Sequence, residues 1–232
     1  MLFDTHESSW SRSPSPLRGT RFTRKYLTDR FTIAYSSNVA RTKEFDPDAA
    51  LQSALELFWR RGYEATSMAD LVEHLGIGRA SIYATFGNKR ELYLKALDRY
   101  SENRDSGLLG ELSQPGPALP AVRTVVRRFA AEAISDDRRL KGCFVTNTAA
   151  ELGAHDTAAA RRVEASWGHI ETLLHSALMR AQAQGELPAD RDPRGLARML
   201  LVLMQGLRVV GKASDDPRRV RDAAEQALRL LD

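Results

Sequence analysis

A single cysteine, Cys143, in 232 residues excludes an intrachain disulfide framework and fits a reducing compartment. Long apolar runs are missing too. The longest useful one, Met199 to Met204, is six residues, far short of the roughly 18 that span a bilayer. The first residues lack the apolar segment of a secretory signal. They share the Ser and Arg bias of an organellar transit peptide, but Asp4, Glu7 and Asp29 oppose that reading. A soluble, cytoplasmic protein without membrane contact is expected. Aromatics are scarce at 7%, and no strand-like alternation competes with helical spacing. A phosphate-cradling glycine loop, a nucleophile elbow and a convincing pair of catalytic carboxylates are all absent, so nothing supports an enzyme. Glu151 and His155 are four apart and His169 precedes His175 by six, neither forming a structured metal site. No metal or cofactor is expected.

What is present is 43% apolar and 28% charged, enough for one large or two small globular domains. The net charge of +4 raises the prospect of a polyanionic partner, but its location matters. Residues 1–43 hold eight basic and three acidic groups, whereas 44–232 hold 26 and 27. The basicity belongs to the leader, where Ser-Pro-Ser-Pro at 13–16 and the lack of sustained periodicity point to a disordered or loosely attached segment.

From Asp46 the pattern turns helical. Asp46-Pro47 is a helix start, followed by Ala50, Ala54, Leu57 and Phe58 at helical spacing and closed by Gly62. Met68, Leu71, Val72 and Leu75 define a second short helix ending at Gly76, Arg79 to Thr85 a third, and Leu92, Ala96, Leu97 and Tyr100 a fourth after Gly87-Asn88. A break over 113–120, with Pro115, Gly116, Pro117 and Pro120, precedes further helical segments. These run through Val122 to Ala133, about 143–152, about 156–184, about 193–212, and behind Asp216-Pro217 to Leu231. The fold class is all-α.

Ala65 to Lys89, ATSMADLVEHLGIGRASIYATFGNK, sets two short helices around a tight Gly76-Ile77-Gly78 turn, the layout of a helix-turn-helix. Leu71, Leu75, Ile77 and Ile82 can lock the pair, leaving Arg79, Ala80, Ser81, Ala84 and Thr85 outward. Small residues permit close approach to DNA, and Arg79 can reach a guanine edge or a phosphate. On layout alone, a helical pair inside an ordinary α-domain fits equally.

Over residues 47–97 the chain resembles the DNA-binding domain of the TetR (tetracycline-repressor-like) transcriptional regulators. The match runs through Ala54, Leu57-Phe58, Gly62-Tyr63, Ala65-Thr66, Leu71, Leu75, Gly76-Ile77, Ile82-Tyr83, Phe86, Lys89 and Leu92. The resemblance implies an N-terminal three-helix helix-turn-helix domain at 44–104, its helix-turn-helix at 67–86. A C-terminal α-helical ligand-binding and dimerisation domain at 119–232 follows. It also implies DNA contacts from Thr66, Ser67, Gly78, Arg79, Ala80, Ser81, Tyr83, Thr85 and Lys89, with Tyr83 and Lys89 on the phosphate backbone. Gly78 stands where a capping serine is common and Thr85 where a histidine is common. Arg41 and Lys43 can add contacts from an arm. Val39 to Lys43 looks like the opening of an arm of ordinary length, so translation is expected to start at residue 39 through a valine-type codon.

The implied partners are double-stranded DNA carrying a palindromic operator, a second copy of the chain joined through the last two helices, and a small-molecule effector. GLARMLLVLMQGLRVV at 195–210 is apolar nearly all round, suiting either a core helix or the dimer interface. Candidate effector contacts are Phe129, Cys143, Phe144, Asn147, Trp167, Ile170 and Met204; each taken singly reads first as plain core. Cys143, near Arg138, Arg139 and Lys141, is alternatively a reactive thiol serving a redox- or electrophile-responsive regulator. An architectural DNA-binding protein without effector is disfavoured, because a scaffold needs no separate apolar sensor unit.

Overall fold

A computed structural model describes residues 45–136 and 141–232. The leader, the arm with Arg41 and Lys43, the expected start at residue 39, and Arg138 and Arg139 all lie outside the described residues. Nine helices make up the fold among the described residues: α1 (Pro47–Arg61), α2 (Met68–Leu75), α3 (Arg79–Phe86), α4 (Lys89–Leu112), α5 (Ala118–Ile134), α6 (Phe144–Leu152), α7 (Thr157–Ala183), α8 (Pro193–Ala213) and α9 (Arg218–Arg229). No helix among the described residues is long and apolar enough to cross a membrane.

Side-chain caps fix several of the starts. Asp46 Oδ1 accepts from the Asp48 amide at 2.8 Å and Asp192 Oδ1 from Arg194 at 3.0 Å, each with proline at the first helical position. At α2 the turn is reversed by Gly76, whose φ of +65° is left-handed and carries the chain from one short helix to the next. Helix α5 begins earlier than the proline-rich sequence suggests. Pro120 sits within its first turn, where a missing amide hydrogen has no helical partner to lose, so the break closes by Ala118.

Two apolar clusters organise the molecule. One joins α5, α7, α8 and α9 with the end of α4 around Val122, Phe129, Leu174, Leu178, Leu200 and Met204. The other centres on α1 to α4 and continues into α6 and the start of α7 through Phe144, Val145, Leu152 and Val163. Burial of a large apolar side chain in such a cluster contributes roughly 1.5–3 kcal/mol. The helix-turn-helix therefore shares its core with helices that follow residue 140. A ladder of edge-to-face rings makes the continuity concrete: Phe58–Tyr93 at 5.0 Å, Tyr63–Tyr93 at 5.1 Å, Tyr93–Phe144 at 5.1 Å and Tyr100–Phe144 at 5.7 Å.

Candidate nucleic-acid interface and internal cavity

The α2–α3 pair is held from below and open above. Leu71 at the centre of α2 and Ile82 and Phe86 of α3 are buried, whereas Arg79, Ala80, Tyr83, Ala84 and Thr85 are exposed and Ser81 is half-buried. Gly78 caps α3 without a side chain, leaving the first amide hydrogens of the helix without a cap acceptor. Arg79 makes no hydrogen bond or ion pair among the described residues. By contrast Arg61 is paired with Asp70 at 2.8 Å, Arg90 with Asp156, and Arg99 with Asp48. Residues 44–104 hold eight basic and ten acidic groups. The interface thus offers a few placed groups rather than a basic surface.

Ser67 is the cap of α2. Its hydroxyl accepts from the Asp70 amide at 3.1 Å while Asp70 Oδ2 accepts from the Ser67 amide at 2.8 Å, a reciprocal capping box. The Ser67 hydroxyl and amide, then Arg61, hold the Asp70 carboxyl down at about 2. Thr66 is fully buried, and its hydroxyl donates to the Gly62 carbonyl at 2.7 Å, so the side chain faces the core. Lys89 is also engaged internally. Its ammonium donates to the Tyr63 carbonyl at 3.0 Å and the Thr66 carbonyl at 2.9 Å and lies 4.0 Å from the Tyr63 ring centre. It pins the start of α4 to the α1–α2 turn.

The same turn is gripped from the C-terminal side. Glu151 of α6 accepts from the amides of Tyr63 at 3.0 Å and Glu64 at 2.8 Å. Trp59 donates to the Gly142 carbonyl at 3.1 Å, and Tyr93 and Thr148 share a hydroxyl hydrogen bond of 2.8 Å. Asp156 caps α7 through the amides of Ala158 and Ala159 and takes both forks of Arg90. Arg90 first, with those amides in support, holds the Asp156 carboxyl near 2 despite partial burial. In the sequence Glu151 stood out only for its spacing to His155; its grip on the turn had no local signal.

A cavity of about 300 Å³ opens between α1, α4, α5 and α8. Of the seven candidate effector contacts, Phe129 lines it. Phe144 stacks behind it against Tyr93 and Tyr100, and Asn147 donates to the Lys141 carbonyl at 2.9 Å. Ile170 and Met204 are fully buried in the C-terminal cluster, and Trp167 packs half-buried on the other. Cys143 is buried, with Sγ accepting from Tyr100 Oη at 3.7 Å and Arg104 Nη1 at 3.4 Å. Burial pushes its thiol up, but Arg104 and Arg208, with Thr146 at the start of α6, bring it down to about 6. Arg104, Arg208 and Tyr100 are among the cavity residues that sequence reading missed. Arg208 carried one signal, a charge inside the largely apolar stretch 199–210.

Comparison with known proteins agrees with this geometry. Residues 50–96 match the family described as "Bacterial regulatory proteins, tetR family", and residues 118–227 match "Tetracyclin repressor-like, C-terminal domain". An uncharacterized HTH-type transcriptional regulator of Bacillus subtilis (strain 168), YezE, is 37% identical over 195 residues, covering 84% of this chain and 100% of the relative. The HTH-type transcriptional repressor ComR of Escherichia coli (strain K12) is 32% identical over 190 residues, covering 82% and 90%. A solved structure of a cysteine mutant of the TetR family transcriptional regulator CifR, complexed with 26-base-pair operator DNA, superposes with a TM-score of 0.73. It is 32% identical and covers 83% of this chain and 100% of that one.

Proposed function

The chain belongs to the TetR family of DNA-binding transcriptional regulators, and from that premise we propose that it is a repressor that binds a palindromic operator as a homodimer and leaves it when a small molecule binds. The observation that carries the reading is α3. It packs on Ile82 and Phe86 and turns an unpaired Arg79, the hydroxyls of Tyr83 and Thr85, and the small Ala80 and Ala84 to solvent. In a twofold dimer two such helices lie about one DNA turn apart, roughly 34 Å. Residues 44–104 are the DNA-binding unit and 119–232 the regulatory and dimerisation unit. Repression is supported by the name of the E. coli relative, and operator binding by the DNA complex of the structural relative. An effector that prefers the DNA-incompetent state by about 1.4 kcal/mol releases operator tenfold.

The direct test is binding to operator fragments recovered by genomic footprinting. Tyr83→Phe is expected to weaken every sequence alike at an unchanged salt slope, because a neutral phenol releases no counterion, whereas Arg79→Ala changes sequence preference. Parent-like binding by both variants removes the assignment of α3.

One observation favours a second reading, in which the signal is an electrophile. The Cys143 sulfur lies against Arg104 and is held as thiolate near neutrality. In that chemistry the thiolate attacks the β-carbon of an unsaturated carbonyl, a C–S bond forms, and the resulting carbanion takes a proton from water. A thiolate absorbance that titrates near pH 6 and vanishes in Cys143→Ser, together with operator release by such a compound only in the parent, is the expected result. Equal release in Cys143→Ser retires it.

A further inference from the structure

The cavity between α1, α4, α5 and α8 gathers more buried positive charge than its own carboxylates take up. The guanidiniums of Arg104, Arg128 and Arg208 lie 5.2, 5.0 and 4.4 Å from the Phe129 ring centre. Arg128 is answered by two carboxylates: Glu111, at 3.1 Å from Nε and 3.0 Å from Nη2, and Glu132, at 2.6 Å from Nη1. Arg208 is only 6% exposed. Its Nη2 reaches Glu132 at 3.2 Å, but its buried Nε has no acceptor. Arg104 has no carboxylate partner among the described residues. Its Nη1 reaches the Cys143 sulfur, while its Nε and Nη2 are buried with no acceptor.

Buried donors in folded proteins nearly always find acceptors, and the planar guanidinium fork is matched best by a carboxylate. Leu55, Trp59, Leu108 and Phe129 supply apolar wall beside the polar Gln52 and Asn103, which favours an ion carrying hydrocarbon over a small hydrated one. Glu111 and Glu132 stand on the same lining and repel a second negative charge.

We propose that this cavity binds a small organic monocarboxylate, its charged end on Arg104 and Arg208 and its hydrocarbon against Phe129. The proposal gives a chemical class to the effector and so rests on the ligand-responsive reading above. A volume of about 300 Å³ suits a molecule of benzoate or hexanoate size. The bound carboxylate and the Cys143 sulfur draw on the same Arg104 charge, so binding of the acid raises the thiol's pKa and slows its alkylation.

The test is titration calorimetry of the full chain with benzoate and hexanoate, beside benzamide, hexanamide and inorganic phosphate. At least one acid is expected to bind at least tenfold tighter than its amide, with phosphate failing to compete and Cys143 alkylation slowing on binding. Arg104→Gln, checked for parent-like melting, loses the preference, and Arg104→Lys recovers part of it. The proposal is overturned if acids and amides bind alike, if neither acid binds, if phosphate competes as well as benzoate, or if folded Arg104→Gln still prefers the acids. Operator release separates the two ideas. An acid that binds through Arg104 yet leaves the operator complex intact retires the effector reading and keeps the site. Release by an amide, with no acid binding, does the reverse.

Discussion

The Lys89 ammonium has three donors, and two of them end on the carbonyl oxygens of Tyr63 and Thr66 at 3.0 and 2.9 Å. One remains for a phosphate. Tyr83, 46% exposed, has no such internal duty. Two residues that the family resemblance pairs as phosphate contacts should therefore respond differently to removal. Lys89→Met keeps the apolar stem and deletes every donor; hydrogen bonds from a charged group contribute about 1.5–3 kcal/mol each before solvent exposure discounts them. We expect Lys89→Met to lower the urea midpoint measurably and to weaken operator binding, and Tyr83→Phe to weaken binding at an unchanged midpoint. Equal midpoints for both would mean that the Lys89 bonds to the turn contribute nothing to the fold. The sequence marks Lys89 and Tyr83 alike because it records residue type at a motif position, and a backbone carbonyl brought from 26 residues away leaves no trace in the motif.

Helix by helix, the elements were legible where local chemistry decides them. Asp-Pro starts, the Gly76 stop and the 3.6-residue repeat of α1, α7 and α8 act within a few residues, so the expected and observed ranges agree to a residue or two. The start of α5 was misread by the rule that proline breaks helices, which does not hold in a first turn. Less legible was what each helix touches. Glu151 sits on an unremarkable face of α6, yet it accepts from the Tyr63 and Glu64 amides of the α1–α2 turn, and Gly62 there has a φ of +88° with room only up to the Glu151 carboxylate, 3.0 Å from where a Cβ would stand. Helix α6 starts behind its N-cap Cys143, beside Arg104 of the cavity wall, and carries Glu151 to that turn. It links the cavity wall to the α1–α2 turn, beside α1 and α4, which line the cavity themselves. Glu151→Gln should keep operator affinity within about threefold, cost about 1–2 kcal/mol in urea unfolding, and blunt effector-driven release. Full release in the variant, read by fluorescence anisotropy of labelled operator, would dismiss α6 as the link.

At the scale of the whole molecule, one face of α8 is exposed and apolar. Val202, Val209 and Val210 are 71%, 55% and 41% exposed, and with Gly206 and Ala213 they form one outward stripe at spacings of four, seven, eight and eleven. Leu230 beside α9 adds another exposed apolar side chain at 53%. Contiguous apolar surface of this kind marks an interface, and the small Gly206, with open space at its Cβ position, lets a facing helix approach closely. The proposed homodimer through α8 and α9 would cover it. Such a dimer would also answer the charge question: with eight basic against ten acidic groups over 44–104, one DNA-binding unit has little electrostatic hold on DNA, and two on one palindrome would multiply a modest affinity. Val202→Glu combined with Val209→Glu places two charges per chain in that interface. We expect a folded monomer by light scattering and circular dichroism, with operator affinity down by about a hundredfold, since linking two half-site contacts gains on the order of 10² to 10⁴. A double variant that remains dimeric and binds operator as the parent does would move the interface off this stripe and return the apolar run at 195–210 to a purely internal role.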